Sequence, residues 1–250
     1  MAIRHFFRCF FNEFRQYEIQ LNSNCLYRCL DCGWWEHDDD GGFQIDSWIL
    51  RDIPRYRIVN LFGGDPLVHP DFDCVLMALQ KKGCQIRLWS TGVGSIDRWI
   101  AILATLDRLY LYVPSGDPCQ YQSIVGTYTW DQLGEQLDVF NSEAVVSDRM
   151  IWLNYEVRSD TIQFLPELYE FSMDKKCSLL IHCDGSKLVD RESILYLKRF
   201  YKVPNVSVFF TKKKKKETVY KQRCSGVSST VIRDRWQMVK NFNLRYTLGQ

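Results

Sequence analysis

The chain has 250 residues, 46% hydrophobic and 25% charged, an ordinary globular composition with length for one sizeable core or a core and a small appendage. Its formal net charge of +2 sets up no whole-molecule field that would draw nucleic acid or acidic lipid. No apolar run approaches the ~20 residues that span a bilayer. The opening MAIRHFFRCFFNEFRQ is broken by Arg4, Arg8, Glu13 and Arg15, so it lacks the continuous apolar centre of a signal peptide. The expectation is a soluble, cytoplasmic protein with no membrane span.

Residues 1–15 carry Phe7, Phe10, Phe11 and Phe14 on one helical face, an amphipathic segment expected to pack against the body of the protein. QYEIQLN (16–22) is strand-like and feeds a cysteine-rich loop. EHDDDGG (36–42) reads as a solvated acidic loop, with cation binding as the alternative. The helix-like QIDSWILRDI leads into the strand-like YRIVNLF (56–62), which stops at Gly63 and Gly64. DFDCVLMALQKKG has apolar residues at helical spacing and ends in a Gly stop. CQIRLWS (84–90), the turn TGVG and the helical SIDRWIAILATL follow. DRLYLYV (107–113) is cut off by PSGDP; then come MIWLNYEV (150–157), the helix-like TIQFLPELYEFSM and CSLLIHC (177–183).

These are six strand-like runs, most joined through a helical stretch. Repeated β-α units imply parallel strands, because a parallel connection needs a long crossover. The fold class expected is therefore α/β, as a partial, open (β/α)6 barrel over residues 16–185 with a short C-terminal extension over 186–250. In that extension SILYLKRFYKV looks helical and NVSVFF strand-like, and Lys212 to Lys216 read as a solvated loop, with contact to RNA phosphate as the alternative. The cysteine loop, GGDP, STG, PSGDP and RSD each follow a strand. They should gather at the carboxyl ends of the strands, where α/β barrels build their sites.

Ten cysteines in a cytosolic chain are expected to be reduced thiols. Cys9, Cys74, Cys84, Cys119, Cys177, Cys183 and Cys224 stand singly and read as small buried hydrophobes. Only Cys25, Cys29 and Cys32, in NCLYRCLDC, form a local constellation. Three thiolates fall one short of a closed structural zinc site. Either zinc takes a fourth ligand such as His37, or an iron–sulfur cluster keeps one iron open to a small molecule. One β-α unit later, NLFGGDPLVHPDF sets two glycines at a strand end, where the backbone can approach a ligand closely and Pro66 stiffens the exit. His69, before Pro70, is expected to make a structural hydrogen bond; His5 and His182 carry no signal.

The cysteine triplet followed one unit later by GGDPLVHPDF resembles the signature of the radical S-adenosylmethionine (radical SAM) enzymes. YEIQLNSNCLYRCLDC is similar to the family's strand-into-cluster sequence, and IRLWSTG to its third strand and turn. The resemblance covers about residues 16 to 185. It implies that Cys25, Cys29 and Cys32 ligate a 4Fe-4S cluster whose open iron takes the amine and carboxylate of S-adenosylmethionine. Gly63, Gly64, Asp65 and Pro66 would form the wall that receives the amino group, and Ser115 and Asn154 would supply polar contacts. It further implies a one-electron donor such as flavodoxin or ferredoxin, and no protein acid or base for the cleavage. Two positions depart from the family pattern. Asp31 stands where an aromatic residue usually packs near the adenine, which Trp34 or Trp35 would have to replace; Asp65 stands in place of Glu. Cys224 is the only cysteine after Cys183, so the extension has no ligand set for a cluster of its own. The substrate is open between peptide, nucleotide and small metabolite, leaning towards the branch that modifies peptides and builds cofactors. The rival readings are a zinc-stabilised binding module and a degenerate scaffold that binds the cluster without catalysis.

Overall fold

A computed structural model describes residues 16–21, 25, 27, 29, 47–126, 128–142, 150–184, 191–211 and 232–234. The N-terminal aromatic stripe, Asp31, Cys32, Trp34, Trp35, His37, the acidic loop, Lys212 to Lys216 and Cys224 lie outside them.

Seven parallel strands follow one another in sequence across a single sheet: β1 (Gln16–Gln20), β2 (Ile58–Phe62), β3 (Gln85–Ser90), β4 (Arg108–Tyr112), β5 (Ile151–Glu156), β6 (Ser178–Asp184) and β7 (Val206–Thr211). An eighth, β8 (Ile232–Asp234), pairs antiparallel with the outer side of β1. Because the order never reverses, every right-handed crossover wraps the same way and the helices fall on one face. The sheet curls into an arc rather than a doubly wound layer, with β7 and β8 as its edges among the described residues. The six expected strands are all present and in order. Residues past 186 extend the same sheet through α7 (Arg191–Lys198), β7 and β8.

The strands alternate between two environments, as a period of two requires. Ile19, Val59, Leu61, Ile86, Leu88, Leu109, Leu111, Leu153, Leu179 and Ile181 are fully buried in one continuous core. That core is completed by α2 (Phe72–Lys81), α3 (Ile96–Leu103), α4 (Pro118–Val125), α5 (Trp130–Ser142) and α6 (Leu165–Asp174), which contribute Val75, Leu79, Trp99, Tyr121, Leu137, Phe140 and Leu168. A short helix, α1 (Ser47–Asp52), precedes β2. The opposite, concave face carries Asn60, Arg87, Trp89, Tyr110, Trp152 and Asn154, in register across β2 to β5. There Trp89 and Tyr110 stack at 4.2 Å. An aromatic and polar lining differs from the layered Val, Ile and Leu that fill a closed barrel.

Both helices between β4 and β5 begin at side-chain caps. Asp117 accepts from the Gln120 N–H at 2.7 Å, with Pro118 in the first turn, and α4 ends at Gly126 with φ +81°. Thr129 Oγ1 accepts from the Gln132 N–H at 3.1 Å while Gln132 Oε1 accepts from the Thr129 N–H at 2.9 Å, a reciprocal capping box that starts α5. Among the single cysteines, Cys84, Cys177 and Cys183 are buried as expected, and burial pushes the thiols of Cys177 and Cys183 up to about 12. Cys74 and Cys119 are exposed instead. Cys74 lies off the Phe72, Val75, Leu76, Leu79 stripe that α2 turns to the core. No helix among the described residues is long and apolar enough to cross a membrane.

Candidate cofactor site

The loops that leave the carboxyl ends of β1, β2 and β3 are tied to one another. Gln20 and Phe62 are paired at the ends of β1 and β2, so the cysteine loop and the Gly63–Pro66 turn leave adjacent strands side by side. Cys25 is partly buried and Cys29 buried, and neither is in a disulfide among the described residues. Between them Tyr27 is fully buried, and its hydroxyl donates to the Thr91 carbonyl at 2.9 Å. The same oxygen lies 2.8 Å from the Tyr121 hydroxyl on α4. A phenol has one proton, and Tyr27 has given its own to Thr91, so Tyr121 is the donor of that pair. Burial raises both phenols above their ordinary range, which keeps them protonated and donating.

In the second loop Gly63 takes φ +154°, a backbone setting that side-chain-bearing residues rarely adopt. Asp65 is fully buried. One carboxylate oxygen accepts from the Leu67 N–H at 3.2 Å and from Ser90 Oγ at 3.0 Å; the other accepts from Thr91 Oγ1. Desolvation raises its pKa, and these hydrogen bonds pull it part of the way back. The carboxylate thus clips the turn after β2 to the end of β3, and the local 3-10 turn Pro66–Val68 is capped by it. Nearby, the His69 ring nitrogen Nδ1 accepts from the Asp71 N–H at 3.0 Å, a structural bond. The β3 loop is held from the other side by α5, where Gln136 Nε2 donates to the Gly92 carbonyl at 2.6 Å and Tyr128 donates to Gln136 Oε1 at 2.7 Å.

Of the residues singled out from sequence, the cysteine loop and the Gly63–Pro66 turn are therefore drawn together. Ser115 stands apart from that network. It is fully buried, donates to Gln120 Oε1 at 3.2 Å and accepts from the Asp117 N–H at 3.1 Å. Gln120 Nε2 then reaches the Asp160 carbonyl after β5 at 3.0 Å. Asn154 sits on β5 opposite Tyr112 and Leu180, with its Oδ1 buried and without a hydrogen-bond partner among the described residues. Cys32 lies outside the described residues, and within them no group of three or more Cys, His, Asp or Glu comes together to hold a metal. Sequence reasoning did not single out Tyr27, Thr91, Tyr121 or Gln136. The only local signal was the position of Tyr27 inside the cysteine triplet, since its partners lie 64 and 94 positions away.

No family model matches the chain. Over 117 residues, 42% of this chain and 36% of the relative, it is 26% identical to a probable GTP 3′,8-cyclase of Pyrobaculum aerophilum. Among solved structures it resembles Streptococcus suis SuiB bound to precursor peptide SuiA, with a TM-score of 0.62 and 16% identity, covering 84% of this chain and 52% of SuiB. It also resembles native anSMEcpe with bound AdoMet and Cp18Cys peptide, with a TM-score of 0.52 and 16% identity, covering 66% of this chain and 49% of that one. The matches thus span only 36% to 52% of the lengths of these relatives. The chain thus shares an open-barrel fold with these two solved structures, and its cysteine and glycine motifs leave the carboxyl ends of β1 and β2.

Proposed function

We propose that the chain is a radical SAM enzyme in which Cys25, Cys29 and Cys32 hold a 4Fe-4S cluster and Gly63, Gly64, Asp65 and Pro66 wall the S-adenosylmethionine beside it. The observation that carries this reading is the joining of the two motif loops through Thr91, which accepts from Tyr27 of the cysteine loop and donates to Asp65 of the turn. Soft thiolates suit iron–sulfur clusters, and a reducing compartment keeps them available. With the Asp65 carboxylate engaged internally, the backbone of Gly63 and Gly64 is what this turn offers to a polar ligand. The buried Oδ1 of Asn154 can accept from a ribose hydroxyl. Ser115 supports the site by setting the turn that begins α4.

When bound, the cluster and S-adenosylmethionine supply a one-electron cleavage to methionine and a 5′-deoxyadenosyl radical that takes a hydrogen atom from substrate. The chain's own part is to hold the cofactor's polar groups between two pinned loops and to line the substrate side with the concave face of β3 to β5. A small one-electron donor protein such as flavodoxin or ferredoxin completes the cycle. The substrate class best supported is a peptide. SuiB, the likeness with the higher TM-score of the two, was solved with a precursor peptide, and anSMEcpe also holds a peptide.

Anaerobic reconstitution with iron and sulfide, reduction with dithionite and addition of S-adenosylmethionine test the assignment, with 5′-deoxyadenosine read by chromatography. The wild type is expected to release it and Cys29→Ala to release none. Equal product from both sinks the assignment, and a colourless protein carrying zinc returns the cysteines to a structural metal.

A further inference from the structure

The Tyr27 hydroxyl demands an explanation that packing does not give. The ring is fully buried in the main core, where a phenylalanine would fill nearly the same volume. A hydroxyl taken out of water costs free energy unless it finds partners, and replacing a buried polar group and its partners by apolar ones is often nearly neutral. Here the hydroxyl is matched on both sides, donating to the Thr91 carbonyl at 2.9 Å and accepting from Tyr121 at 2.8 Å. Its first partner is the residue whose own side chain donates to Asp65. Thr91 therefore joins, within one rigid residue, the loop bearing Cys25 and Cys29 to the turn bearing Gly63 and Gly64. The two side-chain links run in series along this bridge, while Ser90 Oγ and the Thr91 amide also bond Asp65; breaking either link loosens the bridge through Thr91 without severing the turn from β3.

We propose that Tyr27 and Thr91 act as one positioning unit that sets the cysteine loop in register with the Gly63–Pro66 turn. This inference rests on the function proposed above and deepens it. Groups that grip one ligand from two loops must hold their spacing to within ~0.5 Å to bind it well. The unit supplies that spacing and touches neither iron nor S-adenosylmethionine itself. Its loss should weaken S-adenosylmethionine binding while iron loading, which draws on the cysteine loop alone, stays as it was. Because the links are in series, losing both should be little worse than losing one.

The test uses full-length, anaerobically reconstituted, oxidised protein, so that no cleavage intervenes. Iron and sulfide are assayed per chain, folding is followed by circular dichroism, and S-adenosylmethionine is titrated by calorimetry into wild type, Tyr27→Phe, Thr91→Val, the double variant and Thr91→Ser. With iron content unchanged, Kd is expected to rise about tenfold in each single variant, the size of one lost hydrogen bond. The double variant should lie within about threefold of the weaker single one, where independent sites would multiply. Thr91→Ser keeps the hydroxyl and should bind as wild type does. Should Tyr27→Phe fold poorly, Thr91→Val and Thr91→Ser carry the comparison. A Tyr27→Phe or Thr91→Val protein that melts lower but binds S-adenosylmethionine within twofold of wild type overturns the unit and leaves the enzyme reading intact. Multiplicative losses in the double variant overturn it as well. A wild type that loads no cluster overturns both together.

Discussion

Asp65 has its place in a turn written in the sequence, but its work is defined elsewhere. GGDP reads as a tight turn after a strand, and the structure has one. What the motif does not contain is Ser90 and Thr91, 25 and 26 positions on, which meet the carboxylate only when β3 lies beside β2. Tyr27 is illegible for the same reason. A side chain's hydrogen-bond partners are set by sheet order, which no local pattern encodes. The buried carboxylate has a consequence for stability against pH. Desolvation, the largest influence, raises its pKa above that of an unfolded aspartate despite the opposing hydrogen bonds. A group whose folded pKa is raised contributes fully below the unfolded value, near pH 4, and loses that contribution as pH rises through the folded value. Asp65→Asn cannot ionise and keeps one oxygen for Leu67 and Ser90. It should therefore destabilise more at pH 4 than at pH 7. Urea midpoints of both proteins across that range should converge as pH rises; a gap that stays level or widens would show that the hydrogen bonds outweigh burial.

At the level of elements, the strands were easier to read than the helices. Each buries one side against helices, and runs such as IVNLF and QIRLWS announce themselves. The helices between β4 and β5 went unread although α5 carries its signals openly. Thr129 and Gln132 form its capping box, and Leu133, Leu137 and Phe140 fall on one buried stripe. Its polar remainder and Gly134 diluted that pattern. Before α4, PSGDP was read correctly as a break, but Gly116 has a second purpose. A Cβ placed there would lie 2.2 Å from the Phe164 carbonyl oxygen and 2.5 Å from the Leu168 nitrogen. Both are backbone atoms at the start of α6 that cannot rotate away. Gly116→Ala should cost about 3 kcal/mol, at the upper end of what overpacking usually does. That loss should appear as a lowered urea midpoint with an unchanged slope. A cost under about 1 kcal/mol would mean that α6 slides outward with ease, and that the β4 loop is not fixed by it.

Across the whole molecule, the parallel arc was legible because every β-α repeat implies the same crossover, whereas its two ends were not. NVSVFF read as a strand without a place; it proves to be β7, continuing the sheet beyond β6. The antiparallel β8 could not be foreseen, since three residues pairing across 213 to 217 positions leave no periodic trace: Tyr17 meets Asp234, Glu18 meets Arg233 and Ile19 meets Ile232. This pairing covers the outer edge of β1, the strand that delivers the cysteine loop, and so bears on how firmly that loop is rooted. The Leu21 N–H donates to the Phe62 carbonyl at 2.9 Å. Amides alternate in direction along a strand, so that of Ile19 also turns to β2 and that of Glu18 turns to β8. Removing residues 231–250 should then speed hydrogen exchange at Glu18 by at least about tenfold, the worth of one backbone bond, while Ile19 keeps its protection. Equal acceleration at both amides would mean that β8 steadies β1 as a whole, and the cysteine loop with it. No change at either would mean that β1 is anchored by β2 alone and that the edge pairing contributes nothing to the site.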